Sequence, residues 1–235
     1  MCGTCGCHAN PLSDIMTRRL SLQINLLDRN EGFAKANRER FQQLGLTVIN
    51  LMSGPGSGKT RLLEATLPAL RHIGCGVVEG DLQTERDAER IRATGAPVVQ
   101  INTGKSCHLD ADAITLALDK LPLKEMRLLF IENVGNLVCP AAFDLGESRR
   151  VVLLSVTEGE DKPLKYPDMF YDAHLILLNK IDLLPHLAYD IEQVRQNIAT
   201  INPRVPVFEI SAQTGEGLEA WINWLNQTIT STTIP

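Results

Sequence analysis

Seven short apolar runs punctuate the chain: Leu46–Met52, Cys75–Val78, Pro97–Ile101, Leu128–Ile131, Val151–Val156, His174–Leu178 and Val205–Ile210. Between most of them, at about 59–72, 84–93, 109–120, 188–200 and 216–228, apolar residues recur at helical intervals. Uninterrupted apolar runs suit strands buried on both faces, and the helical stretches supply the cover. The pattern predicts an α/β fold with a mostly parallel central sheet and helices on both faces. In such sheets ligands gather outside the carboxyl ends of the strands.

The texture ahead of the first run is different. Ser13-Asp14 reads as a helix cap, and Leu20, Ile24, Leu27, Ala34 and Phe41 then share one helical face. Gly32 argues against a single unbroken helix. The apolar face suits packing on its own domain and packing on a partner equally well. The expected organisation is a tail over 1–12, a helical extension over 13–45 and one α/β domain over 46–235. No internal repeat is present.

A chain of 235 residues supports a sizeable core without staples. Its net charge of −5 removes any general electrostatic case for nucleic acid or an anionic membrane. No apolar run approaches the roughly 20 residues that span a bilayer. The polar, Cys-rich N-terminus is unlike a signal peptide, so a cytoplasmic location is expected. Three of the six cysteines, Cys2, Cys5 and Cys7, crowd the first seven residues. Such short loops strain a disulfide and favour thiols or a metal.

Ser53-Gly54-Pro55-Gly56-Ser57-Gly58-Lys59-Thr60 carries the clearest chemistry. It stands between an apolar run and a helical stretch that opens with Arg61, the context of a phosphate-binding loop and hence of a P-loop NTPase. The glycines let backbone N–H groups turn toward phosphate oxygens, and the helix start adds its positive dipole end. Lys59 suits the β- and γ-phosphates, and the Thr60 hydroxyl suits Mg²⁺. Ser53 departs from the motif, which opens on glycine.

Asn179-Lys180-Ile181-Asp182 follows another run, in the form of a guanine-reading element. Asp182 can accept both the ring N1–H and the exocyclic amine of guanine. Adenine lacks that donor pair and would leave a buried carboxylate unpaired. Ser211-Ala212 follows the last run, where a backbone N–H is expected to meet the guanine carbonyl. Asp81 and Glu132 stand at strand ends and suit Mg²⁺, which takes one or two carboxylates and retains water. Asp81 also suits a helix cap before Thr84. Gly135, shortly after Glu132, would let a nucleotide-sensing loop move.

Two sets of soft donors remain. Cys107, His108 and Cys139 combine thiolate and imidazole, which suits Ni²⁺ or Zn²⁺, although a buried Cys beside a surface His is the commoner arrangement. Three ligands leave the coordination incomplete, which implies a water or a second subunit. Cys2, Cys5 and Cys7 could wrap one ion. A redox pair is the rival, without a thioredoxin-like context to support it.

With Cys2-x-x-Cys5-Gly6-Cys7, Glu79-Gly80-Asp81, Thr103-Gly104-Lys105-Ser106-Cys107-His108, Glu132-Asn133-Val134-Gly135-Asn136-Leu137-Val138-Cys139 and Thr157-Glu158-Gly159-Glu160-Asp161-Lys162 beside the two nucleotide motifs, the whole chain resembles the HypB family. These GTPases help insert nickel into nickel–iron hydrogenase, and their class also holds UreG. The resemblance implies a GTP-binding G domain over 46–235 that hydrolyses GTP to GDP with Mg²⁺ and works as a homodimer. It implies a tight nickel site at Cys2, Cys5 and Cys7, and a weaker nickel or zinc site at Cys107, His108 and Cys139. The implied partners are a HypA-type accessory protein and the hydrogenase large-subunit precursor. Five His residues and no His-rich tract disfavour nickel storage. No water-positioning Gln closely follows Glu132, so slow basal turnover is expected. The alternatives are a nickel buffer with incidental GTPase activity and a urease-type accessory GTPase.

Overall fold

The structure, a computed structural model, describes residues 11–81, 84–104 and 106–232, with side chains described within 25–230. Cys2, Cys5 and Cys7, and the side chains of Leu20 and Ile24, lie outside the described residues. All seven apolar runs form strands: β1 Thr47–Ser53, β2 Cys75–Asp81, β3 Val98–Asn102, β4 Leu128–Glu132, β5 Arg149–Ser155, β6 Leu175–Asn179 and β7 Val207–Ile210. They make one parallel sheet in the order β3-β2-β4-β1-β5-β6-β7. The chain winds outward from β1 on one side, returns to insert β4, then crosses to the other side. The reversal puts a crevice at the carboxyl end of β1.

The helices are α1 Pro11–Leu44, α2 Lys59–Thr66, α3 Arg86–Ala93, α4 Ala111–Leu118, α5 Cys139–Ala142, α6 Lys162–Lys165, α7 Pro167–Tyr171, α8 Ile191–Ile201 and α9 Leu218–Thr232. One face of the sheet packs Leu51, Val77, Phe130, Leu153 and Leu177 against α2, α3 and α9. Trp221 of α9 is fully buried there and donates through Nε1 to Thr66 Oγ1 at 2.9 Å. The other face is covered by α1 and α4 at one end and by α7 and α8 at the other. The stretch 59–72 divides into two elements. α2 stops at Thr66, and a 3-10 turn runs over Leu67–Ile73, because Pro68 cannot continue the α ladder.

α1 corrects three expectations. It is one helix of 34 residues, continuous through Gly32. It already includes Pro11, so Ser13-Asp14 lie inside it. Leu27 is 41% exposed, and the docking face is Asn30, Ala34, Asn37 and Phe41. Asn37 donates to the carbonyls of Ala111 (2.9 Å) and Leu145 (3.2 Å) and accepts from the Thr115 hydroxyl (2.8 Å). Asn30 donates to Asp144 O (2.7 Å) and accepts from Ala111 N (2.8 Å). A glycine in a helix interior costs about 1 kcal/mol, and this docking offsets it. No helix among the described residues is long and apolar enough to cross a membrane.

Candidate functional site

β1 delivers Ser53 to the crevice and α2 leaves it at Lys59, so residues 54–58 must turn the chain within one loop. Gly56 and Gly58 do so with φ of 74° and 102°, the left-handed region that other residues avoid. Lys59 Nζ donates to Ser53 Oγ at 2.8 Å, so the hydroxyl at the departing motif position is a partner of the phosphate-loop lysine. Burial lowers the pKa of Lys59. The Thr60 hydroxyl donates to Glu132 Oε1 at 2.7 Å. Arg61 pairs with Glu64 at 3.3 Å. A cavity of about 440 Å³ opens over the loop, lined among others by Lys59, Thr60, Arg61, Asp81 and Glu132.

Two acidic residues at this end stood in the sequence only inside longer motifs, with no role of their own. Glu79 of β2 lies opposite Glu132 of β4 in the strand register, only 2% exposed, and lines the same cavity. Burial and the charge of Glu132 push its carboxyl up to about 8. Burial pushes Glu132 up to about 7, with Lys59 opposing. The available signal was an acid inside an otherwise buried strand. Glu158 braces the phosphate loop, accepting from Ser57 Oγ at 2.8 Å and from Ser155 N at 3.1 Å. Asp81 Oδ2 accepts from Thr84 N and Oγ1 at 3.1 and 2.8 Å, while Glu85 takes the cap position of α3.

Asn179, Lys180 and Asp182 stand on the other flank of the crevice. Asn179 donates to Ser57 O at 2.8 Å, which ties this element to the phosphate loop. A Cβ on Gly58 would sit 2.7 Å from Asn179 Nδ2. Lys180 adopts φ 67° and donates through Nζ to Gly56 O at 2.8 Å. Asp182 Oδ1 accepts the Ser211 hydroxyl. The backbone N–H groups expected to meet a guanine carbonyl are both engaged. Ser211 N donates to Glu216 O (2.9 Å) and Ala212 N to Asn179 Oδ1 (3.0 Å).

Cys107, His108 and Cys139 converge, with one ligand atom from each within 4.8 Å of the others. Cys107 Sγ donates to Cys139 Sγ at 2.7 Å and lies 3.9 Å from His108 Nδ1. The imidazole stacks on Phe143 with centroids 3.8 Å apart, and burial lowers its pKa. A neutral imidazole beside two thiols is a donor set for a borderline-soft divalent ion.

Residues 47–209 match the family model described as CobW/HypB/UreG, nucleotide-binding domain. The chain belongs to this family, on its HypB branch. It is 54% identical to the hydrogenase maturation factor HypB of Escherichia coli K12, over 95% of this chain and 77% of that one. It is 44% identical to the hydrogenase/urease maturation factor HypB of Helicobacter hepaticus, over 88% of each chain. The crystal structure of HypB from Helicobacter pylori in complex with nickel superposes with a TM-score of 0.83 at 41% identity, covering 88% of this chain and 98% of that one.

In this HypB-family chain one short loop joins the two sites. Glu132 holds Thr60, and the next residue, Asn133, accepts from Leu109 N at 3.2 Å beside His108. Gly135 passes so close to the phosphate loop that a Cβ there would lie 2.9 Å from Pro55 Cα. Asn136 reaches the Cys107 carbonyl at 3.4 Å, and the loop ends at Cys139.

Proposed function

We propose that this chain is a GTP-hydrolysing nickel metallochaperone that delivers Ni²⁺ to a hydrogenase large-subunit precursor, with the bound nucleotide setting the geometry of the Cys107–His108–Cys139 site. The observation that carries this reading is the loop from Glu132 to Cys139, which begins on the Thr60 hydroxyl and ends on a metal-ligating thiol.

Residues 54–58 and Lys59 receive the phosphates, and Asp182 reads guanine. Thr60, Glu132 and Asp81 hold Mg²⁺. These oxygen donors fit that ion, and the buried Glu132 Oε2 has no hydrogen-bond partner among the described residues. When bound, Mg²⁺ neutralises charge on the phosphates during attack by water. The chain's own part is to position those phosphates and to move the loop. Exchanging the Thr60–Glu132 hydrogen bond for a shared cation would pull on residue 132. Asn133, Gly135 and Asn136 then carry that displacement to the thiols. Nucleotide can change nickel affinity only through such a difference between two states.

The tail over 1–12 supplies the tight nickel site, 13–45 a helical extension, and 46–235 the G domain. Three ligands at the second site leave room for zinc or nickel to take a further donor from a second copy, which fits a homodimer. A HypA-type partner and a cytoplasmic location complete the reading. Service to urease is the second reading, favoured by the name of the Helicobacter hepaticus relative. The test is Ni²⁺ titration of a variant lacking the Cys2, Cys5 and Cys7 thiols, with GDP and with a non-hydrolysable GTP analogue. Affinities that differ between the nucleotides, and lose that difference in Cys139→Ala, support the reading. Identical affinities overturn the gating.

A further inference from the structure

Glu79 has no part in the reading above, yet it is one of the most deeply buried acids of the protein and lines the phosphate cavity. Its position follows from register. Val77 and Glu79 of β2 lie opposite Phe130 and Glu132 of β4, on the face that α2 covers. The two carboxylates are therefore side by side, at the end of that face where Thr60 stands. Each keeps one buried oxygen, Oε2, without a hydrogen-bond partner among the described residues. Two orphaned acceptors in one cavity call for a donor-rich occupant.

We propose that Glu79 is a positioning residue of the magnesium site, accepting hydrogen bonds from water carried on the cation, one layer outside the ligands Thr60, Glu132 and Asp81. The distances favour this role over direct ligation. Unlike Asp81 at the open carboxyl end of β2, Glu79 is held inside the strand, one strand beyond Glu132, and neighbouring strands lie about 4.8 Å apart. A metal–water bond of about 2.1 Å and a charge-assisted hydrogen bond of about 2.7 Å together cover that spacing. Mg²⁺ bound by one or two carboxylates keeps several waters, so donors are available. Glu79 thus fixes how the hydrated cation faces the phosphates without touching it.

The inference rests on the magnesium reading above. The test measures binding of a fluorescent GDP analogue to the full chain and to Glu79→Gln, in EDTA and across a Mg²⁺ series. In EDTA the variant is expected to bind about as well, because Glu79 meets the nucleotide only through the hydrated cation. Its Mg²⁺-dependent gain in affinity is expected to fall about tenfold, the scale of one hydrogen bond to a charged group. Mn²⁺ binding to the GDP complex, followed by EPR, should weaken by a similar factor. If the unaltered chain gains nothing from Mg²⁺, the magnesium reading falls and this proposal falls with it. If the unaltered chain shows the gain and Glu79→Gln keeps all of it, only the role of Glu79 is overturned. Should Glu79→Gln not fold, Glu79→Asp withdraws the carboxylate by one methylene and carries the same expectation, and full coupling in it is equally fatal.

Discussion

Gly135→Ala tests the link between nucleotide and metal. The new Cβ would stand 2.9 Å from Pro55 Cα and 3.2 Å from Pro55 N. Carbon atoms pack best at about 3.5–4.0 Å, so the overlap is well over half an ångström and falls on backbone. Inserting a methyl group into such a contact costs about 1–3 kcal/mol. The phosphate loop is braced by Glu158 through Ser57 and by Lys180 through Gly56 O. Past Glu132, whose bond to Thr60 is 2.7 Å, the opposing loop is held by longer bonds: 3.1 Å at Leu51 O, 3.2 Å at Leu109 N and 3.4 Å at the Cys107 carbonyl. The opposing loop should therefore retreat. Denaturant unfolding of the nucleotide-free protein should show a loss of about 1–3 kcal/mol. The ratio of nickel affinities between GDP and GTP-analogue states should fall toward one. Allosteric couplings typically span about 5–150-fold, so the collapse lies within reach of a titration. Unchanged stability together with the full ratio would refute the argument that this contact transmits the state.

Asn37→Ala removes three buried hydrogen bonds between α1 and its dock, and leaves Leu145 O without that donor. Ala111 O still accepts from Thr115, so the expected loss is about 2–4 kcal/mol by urea denaturation, and a loss under about 1 would contradict the docking account. Nucleotide- and metal-free protein should lose thermal stability as pH rises from 6.5 to 8. Glu79, raised from 4.5 to about 8, keeps in the folded state a proton that the unfolded chain has released, so its contribution is full below 4.5 and is lost through 8. Half-buried His108 and the more exposed His174, both lowered, act in the opposite sense, but their contribution is complete by about 6.5. Glu132, raised to about 7, adds to the loss in the lower part of that window, and Lys59, lowered by burial, opposes it. Glu79→Gln should therefore reduce the fall in melting temperature, most clearly between 7 and 8, and a slope equal to that of the unaltered protein would rule out Glu79 as a source.

The sheet and the phosphate loop were legible because each is written in consecutive residues. β1 through β7 are apolar on both faces, and the loop needs only its glycines and Lys59-Thr60. What escaped depends on contacts between distant segments. The docking face of α1 includes two asparagines, which a search for apolar periodicity passes over. Their partners at Ala111 and Leu145 are 74 and 108 residues away. Glu79 acquires meaning only from its register with Glu132, and Glu158 only from folding back on Ser57. The engagement of both N–H groups at Ser211 and Ala212 follows from a local turn and from Asn179, neither of which a tetrapeptide motif describes. The convergence of Cys107, His108 and Cys139 was suggested by strand ends, but their proximity required β4 to insert between β1 and β2.

That insertion has a further consequence. With β1 at the midline, everything that would recognise the base, Asn179, Asp182 and Ser211, stands on the flank of β5 to β7. Among the described residues, Asp81, Glu132, Cys107, His108 and Cys139, which the proposal assigns to cations, stand on the flank of β2 to β4. The residues proposed to read the base and those proposed to hold cations thus stand on opposite sides of a single spine, with the phosphate loop between them. Under the proposed function, the ligands of the carried metal could therefore be exchanged on one flank while the base-reading residues of the other stay in place.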